Sequence, residues 1–446
     1  MNPAPFTEHD GLALPALVTD VPGPASVAAV DTLARHESPG ITARRARQGE
    51  ARGLGKDPIV WARATGGNVW DLDGNRFVDL TGAFGVALIG HGHPAVVAAV
   101  EDQARALLHG MGDVYPNAPR IELMARLAAI APGDLSQCIL AGGGAEAVEA
   151  ALKTAALASG RPGVIAFSDS YHGLSYGALA ATAYKDDFRR PFWQQLGRHV
   201  THLPYGVDPA VLRALLRGPA SGAGPIGAIL VEPILGRGGQ VVPPAGWLRA
   251  LRDIADEHDL VLVFDEIYTG LGRTGAMWAC DHDDVVPDVL CVGKALGGGL
   301  PVGACVATPA VMGAWGRSQG EAIHTATFLG NPVVAAASLA ALDVLAALDA
   351  PARARAFEAR VRARFGDDRV RGRGAMLGLA LDSPGAAARV TGRLLKDGFI
   401  ALPGGTHGDI LGLTPPLVLS AAQEAAAWDA IDRAIAAETA HDGAAA

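Results

Sequence analysis

Five short β-rich runs, at residues 164–167, 226–231, 261–264, 289–292 and 302–307, alternate with helical patterns through the middle of the chain. Between the second and third, Trp247, Leu248, Leu251, Ile254 and Ala255 recur at helical spacing. Strands separated by helices predict an α/β fold, a mainly parallel sheet covered on both faces. Parallel strands present their ends along one edge, so residues just past the runs can meet across long sequence gaps. The chain has 446 residues, enough for two lobes and a large interior.

Two such run ends carry chemistry. Lys294 follows Pro287-Asp288-Val289-Leu290-Cys291-Val292-Gly293 and opens onto Ala295-Leu296-Gly297-Gly298-Gly299-Leu300-Pro301. A lysine is rarely buried without a task, and its amine is the usual Schiff-base partner of carbonyl substrates and of pyridoxal phosphate (PLP). Alone it reads equally well as a snorkelling surface lysine. Asp265 ends the run Leu260-Val261-Leu262-Val263-Phe264, 29 residues earlier. PLP catalysis needs an amine to hold the aldehyde and a carboxylate to keep the pyridine nitrogen protonated, and these two residues supply both.

A third run end is glycine-rich. Cys138-Ile139-Leu140 leads into Ala141-Gly142-Gly143-Gly144-Ala145, and Glu146, Val148, Glu149, Ala151, Leu152, Lys153 and Ala155 then form a helical stripe with a Glu149/Lys153 pair. Glycines permit close backbone approach, and a helix start offers free N–H groups to a phosphate. Gly142-x-Gly144-x-x-Ala147, with Asp169 further on, also satisfies a relaxed dinucleotide fingerprint, but that pattern explains neither Lys294 nor Asp265.

In order along the chain stand Asp71-Leu72-Asp73-Gly74-Asn75-Arg76, Gly90-His91-Gly92-His93-Pro94, Gly142-Gly143-Gly144-Ala145-Glu146-Ala147 and Ser170-Tyr171-His172-Gly173. Glu232-Pro233, Asp265-Glu266-Ile267-Tyr268-Thr269-Gly270, Gly293-Lys294 and His324-Thr325-Ala326-Thr327-Phe328-Leu329-Gly330-Asn331-Pro332 follow. Over residues 55–430 this ordered set resembles the class III PLP-dependent aminotransferases, omega-aminotransferase-like enzymes of PLP fold type I. The resemblance implies a large domain with a mostly parallel sheet flanked by helices, at residues 81–332. It implies a small α+β domain built from residues 1–80, which include an N-terminal arm, and residues 333–446.

The activity implied is transfer of an amino group from an amine, omega-amino acid or amino acid to a 2-oxo acid, by a ping-pong mechanism through a Lys294 Schiff base. An epimerase or aminomutase of the same fold would show nearly the same cofactor residues, and a PLP-binding protein without turnover is a third reading. By carry-over, Asp265 pairs with the ring nitrogen, Tyr171 stacks on the ring beside His172, Ile267 packs beneath it and Tyr268 reaches its hydroxyl. Gly144 and Ala145 belong to the phosphate cup, where relatives commonly place a serine or threonine after the glycine. Thr327 resembles the residue that reaches the phosphate from the neighbouring subunit, which implies a homodimer with shared active sites.

Substrate choice departs from the pattern. Many relatives pair a glutamate after Glu-Pro-x-x-Gly with an arginine before a late Pro-Pro; here the two positions are Arg237 and Gly412. The expectation is that Arg237 takes over carboxylate recognition while Gly412 leaves room for a larger arm; the alternative is an Arg237 that pairs with a surface acid. Leu174 stands where acetylornithine-type relatives often carry arginine, which disfavours that substrate. Phe84 is expected on the substrate side, and reads equally well as a core aromatic.

A net charge of −9 excludes a nucleic-acid footprint built on excess positive charge. The cysteines at 138, 280, 291 and 305 form no C-x-x-C pair and read as reduced and mostly buried. Residues 1–10 lack a basic n-region and an apolar core, so a cytoplasmic location is expected. The longest uncharged stretch, 322–342, contains His324, Gly330, Asn331 and Pro332, which disfavour a membrane span, and no metal site is called for. The proline- and alanine-rich first forty residues read as a flexible lead-in, with Arg44, Arg45 and Arg47 on a solvated helix face. Residues 68–80 read as a hairpin around Asp73-Gly74-Asn75, helices follow Pro332, and weaker strands are expected at 376–381 and 417–419.

Overall fold

Six parallel strands and one antiparallel strand form the central sheet of the larger of two units in the computed structural model, which describes residues 11–55, 58–217 and 225–445. The leader expectation at residues 1–10 lies outside the described residues. This unit comprises Pro94–Arg355 with Gly372–Gly374. Across the sheet the order is Gln137–Ala141, Gly303–Ala307, Val289–Val292, Val261–Asp265, Ile226–Val231, Gly163–Phe167 and Val200–Leu203. The inner strands are buried along their whole length, which explains their uninterrupted apolar sequence. Gly303–Ala307 is the antiparallel member. Only the tight turn from Gly293 to Val302 separates it from Val289–Val292, too short for the crossover a parallel neighbour requires.

The helix Gly144–Ser159 buries Ala147, Val148, Ala150, Ala151, Thr154 and Ala155. Its small side chains join the core residues Leu230, Val263, Val289 and Cys291. The expected Glu149/Lys153 pair does not form. Glu149 accepts the N–H groups of Gly177, at 2.7 Å, and Ala178, while Lys153 Nζ lies 3.2 Å from His324 Nδ1. Helix Trp247–Glu257 buries the expected stripe of Trp247, Leu248, Leu251, Ile254 and Ala255. Helix Pro332–Ala347 packs within this unit, on Pro94–Ala106 and Ala118–Ile130, so the larger unit continues past residue 332.

The smaller unit takes the described residues up to His93, Ala356–Arg371 and those from Ala375 onward. Its hairpin pairs Asn68–Asp71 with Arg76–Asp79 as expected. The lead-in is more ordered than its composition suggested: it forms helices Pro24–His36 and Pro39–Ala51, and Asp73 accepts the first-turn N–H groups of Ala25 and Ser26. Arg44 and Arg47 are exposed on the second helix, and Arg45 pairs with Glu37. Met376–Ala380 pairs with Ile410–Leu413, but residues 417–419 form a turn instead of a strand. Pro415 and Pro416 have no N–H for a ladder, and the next donor, Leu417, bonds the carbonyl of Leu88.

All four cysteines are free; Cys138 is partly exposed and the others are buried. Among the described residues no single helix is long and apolar enough to cross a membrane, and no cluster of three or more His, Cys, Asp or Glu has metal-binding geometry.

Candidate active site

Lys294 leaves the buried strand Val289–Val292 through Gly293 and adopts a left-handed backbone with φ of +44°. That conformation is costly for a residue with a Cβ, by roughly 1–3 kcal/mol, and such strain concentrates at functional sites. Its Nζ lies 3.9 Å from the centre of the Tyr268 ring. Burial pulls the amine down to a pKa of about 8, against the raising charges of Asp265 and Glu232; Arg237 and Arg273 lower it further.

Asp265 closes the adjacent strand, in register with Cys291. Its Oδ2 is 2.7 Å from His172 Nδ1, and its Oδ1 accepts the N–H of Ile267. His172 is itself fixed by its backbone N–H, donated to Thr182 Oγ1 at 3.0 Å, and Thr182 Oγ1 donates to the carbonyl of Gly173. His172 Nε2 is buried with no hydrogen-bond partner. Glu232, also buried, accepts the N–H of Tyr171 at 2.5 Å and of Gly236 at 2.7 Å, and burial holds its carboxyl above the usual range.

Ile267 ties these pieces to the glycine-rich turn. A Cβ built on Gly144 would stand 3.0 Å from Ile267 Cδ1, and one on Gly293 would stand 3.4 Å from Ile267 Cγ2. The first helix turn at Gly144 therefore comes close to the backbone before Lys294. No side chain caps this helix, so first-turn N–H groups point outward from its start; Gly142 N–H bonds Glu146 Oε2 at 2.7 Å. Ala145 brings no hydroxyl. It packs on Gly173, whose φ of +124° suits glycine and where a Cβ would meet Ala145 Cβ at 2.6 Å. A desolvated amine, a buried carboxylate–imidazole pair and an uncapped helix start suit a cofactor carrying an aldehyde, a basic ring nitrogen and a phosphate.

Tyr171 and Arg237 are half-buried and in contact: the guanidinium carbon lies 4.5 Å from the Tyr171 ring centre, 5.1 Å from Tyr184 and 5.7 Å from Phe188. Among the described residues Arg237 forms no ion pair. Gly236 fits against Tyr268, where a Cβ would stand 2.6 Å from the ring, which brings the Arg237 loop to the aromatic beside Lys294. Thr327 and Leu174 are exposed in this unit. Phe84 and Gly412 belong to the smaller unit. Phe84 is exposed with φ of +61°, its loop held by Asp79, which accepts the N–H and hydroxyl of Thr81 and the N–H of Ala83. Gly412 sits opposite Gly378 and Leu402 in its sheet.

Three residues of the site had no role assigned from the sequence. Glu232 carried a signal, a Glu-Pro at the end of a β-rich run, whereas Tyr184 and Phe188 carried none.

The family model for aminotransferase class-III matches residues 51–435. The chain is a class III aminotransferase. Curated relatives include acetylornithine aminotransferases from Methanopyrus kandleri, 38% identical over 81% of this chain and 90% of theirs, and from Mycobacterium bovis, 40% identical over 83% and 90%. Among solved structures, a PLP-bound amine transaminase from an uncultivated Pseudomonas species has a TM-score of 0.78 at 28% identity, covering 85% of this chain and 95% of that one. Ornithine aminotransferase from Toxoplasma gondii has a TM-score of 0.77 at 28% identity, covering 86% and 92%. This class III aminotransferase accordingly has the PLP fold type I and uses PLP as its cofactor.

Proposed function

We propose that this class III aminotransferase moves an amino group from an amine, omega-amino acid or amino acid to a 2-oxo acid in two half-reactions through one site. The observation that carries the reading is the meeting of Lys294, the Asp265–His172 pair and the Gly144 helix start around Ile267. PLP, when bound, supplies an aldehyde for the amine and a ring that takes up the electron pair as a proton leaves the amine-bearing carbon. Lys294 Nζ would hold that aldehyde, and as a free amine it could take a proton from the substrate carbon and return one as general base and acid. With a pKa of about 8, a useful fraction of the amine is unprotonated near neutrality.

Asp265 would keep the ring nitrogen protonated, and His172 holds the carboxylate in place. Tyr171 and Ile267 would pack on the ring, Tyr268 would reach its hydroxyl, and the N–H groups at Gly144 and Ala145 would receive the phosphate. Arg237 receives a substrate carboxylate, a role supported by a guanidinium that pairs with no carboxylate among the described residues. The enzyme works in the cytoplasm as a homodimer in which Thr327 of one subunit serves the phosphate of the other; the exposed Ile323 and Phe328 beside Thr327 favour such an interface. Acetylornithine and ornithine, named in the relatives' descriptions, are candidate substrates, and Leu174 counts against the first.

The test mixes PLP-loaded enzyme with amines, omega-amino acids and alpha-amino acids, each without acceptor, and follows the absorbance of the bound cofactor. Stoichiometric conversion to the pyridoxamine form by one donor class is expected. Isomerised substrate with no change of cofactor form would overturn the reading in favour of an epimerase or aminomutase.

A further inference from the structure

We infer that the arm of the substrate site selects against a second ammonium group, and that Tyr184 and Phe188 are the positioning residues that give Arg237 this selectivity. The inference rests on the aminotransferase reading above and names the substrate class of that site. A guanidinium is normally neutralised by a carboxylate. Here it faces three aromatic rings at 4.5, 5.1 and 5.7 Å instead, and no described carboxylate pairs with it. Acids of the site are committed elsewhere: Glu232 to the N–H groups of Tyr171 and Gly236, Asp265 to His172 and the N–H of Ile267, and Asp169, whose Cβ packs by Gly238, accepts the hydroxyl of Ser168. The positive charge is therefore held in place without being cancelled.

Ring faces attract a cation through their quadrupole but leave its N–H donors unspent. Phe188 meets Tyr171 edge-to-face, with centroids 6.2 Å apart, and Tyr184 lies 6.3 Å from Phe188, so the rings brace one another as well as the guanidinium. Arg237 is thus presented with its fork ready for a carboxylate. An arm ending in carboxylate gains two charge-assisted hydrogen bonds, a neutral arm leaves the stack undisturbed, and an arm ending in ammonium meets an uncompensated like charge. Arg237 also lies close enough to Lys294 to help lower its pKa, which places the cation within the electrostatic range of the reacting amine.

Three donors of equal reach test this: 5-aminopentanoate, pentylamine and 1,5-diaminopentane, compared by kcat/KM of the cofactor half-reaction in the PLP-loaded enzyme. Wild type should favour the carboxylate over the diamine by about 100-fold or more, the scale of a charge-assisted fork gained against a like charge met. Arg237→Ala should flatten the series and Arg237→Glu should reverse it. Tyr184→Leu and Phe188→Leu should raise KM for 5-aminopentanoate about 3- to 10-fold with a smaller effect on pentylamine, and Tyr184→Phe should restore it. Calorimetric binding of glutarate, which carries no amine, reads the subsite without turnover and should weaken in the same order. Equal use of carboxylate and diamine by wild type, or glutarate binding that ignores Arg237→Ala, would overturn the inference. Arg237-dependent glutarate binding with no donor converted would support the subsite and overturn the aminotransferase reading alone.

Discussion

Asp265 Oδ2 stands 2.7 Å from His172 Nδ1, and both side chains are almost fully buried. With Nδ1–H donating, the orientation of the carboxylate is set from a segment 93 residues away. Asp265→Asn should lower kcat by about 10²–10³-fold, the scale of losing one preorganised electrostatic partner. His172→Phe, which keeps the ring volume, should cost about 10-fold, the usual worth of a group acting through another. Half-reaction rates with a saturating donor separate the two. Equal losses would mean that His172 does more than hold Asp265.

Lys294 gives a pH prediction. Its pKa is lowered from 10.5 to about 8, so the amine is mostly protonated below pH 8 and mostly free above it. Capture of PLP by cofactor-free enzyme, which needs the free amine, should accelerate as pH rises and level off with a midpoint near 8. Stopped-flow absorbance checks this, and a midpoint near 10 would show that burial does not act on this amine.

Ala145, at the proposed phosphate cup, brings no side-chain hydroxyl. Ala145→Ser should slow PLP loss on dialysis by up to about 10-fold, as expected for one added hydrogen bond to a charged acceptor. Gly173→Ala should have the opposite sense, because its φ of +124° and the 2.6 Å approach to Ala145 leave no room for a methyl group. Retained PLP after dialysis reads both without any assay of turnover.

Glu266, next to Asp265 in sequence, has a different task. Fully buried, it accepts the hydroxyl of Thr269 and the N–H groups of Ala279 and Cys280, and burial raises its pKa to about 7. A raised acid makes the unfolded chain release its proton first, so this group's contribution to stability falls as pH rises from 4.5 through 7. Glu266→Gln should remove that slope. It should also lower stability by about 1–3 kcal/mol, because an amide turns a donor toward backbone N–H groups. Chemical unfolding midpoints at pH 5 and pH 7.5 check both signs.

Much of this was readable in one dimension. The strand runs, the hairpin at Asp73-Gly74-Asn75 and the helix carrying Trp247 and Leu251 follow from apolar period and turn chemistry, which are local. The sequence-based expectations failed where a distant partner intervened. Glu149 turned from Lys153 to the N–H groups of Gly177 and Ala178, which offer it better-placed donors than a solvated ammonium does. Residues 417–419 were diverted from a ladder by the prolines before them and by the carbonyl of Leu88.

The sequence by itself determined the residue types at the strand ends: a lysine, an aspartate and a glycine-rich helix start, in an order that already implied the chemistry. Only the tertiary structure decided which groups face one another. It set His172 on Asp265, Ile267 between Gly144 and Gly293, and Arg237 among Tyr171, Tyr184 and Phe188. Apolar periodicity records the face a residue turns to the core, whereas such meetings depend on how loops dozens of residues apart pack at one sheet edge, and no local pattern encodes that distance.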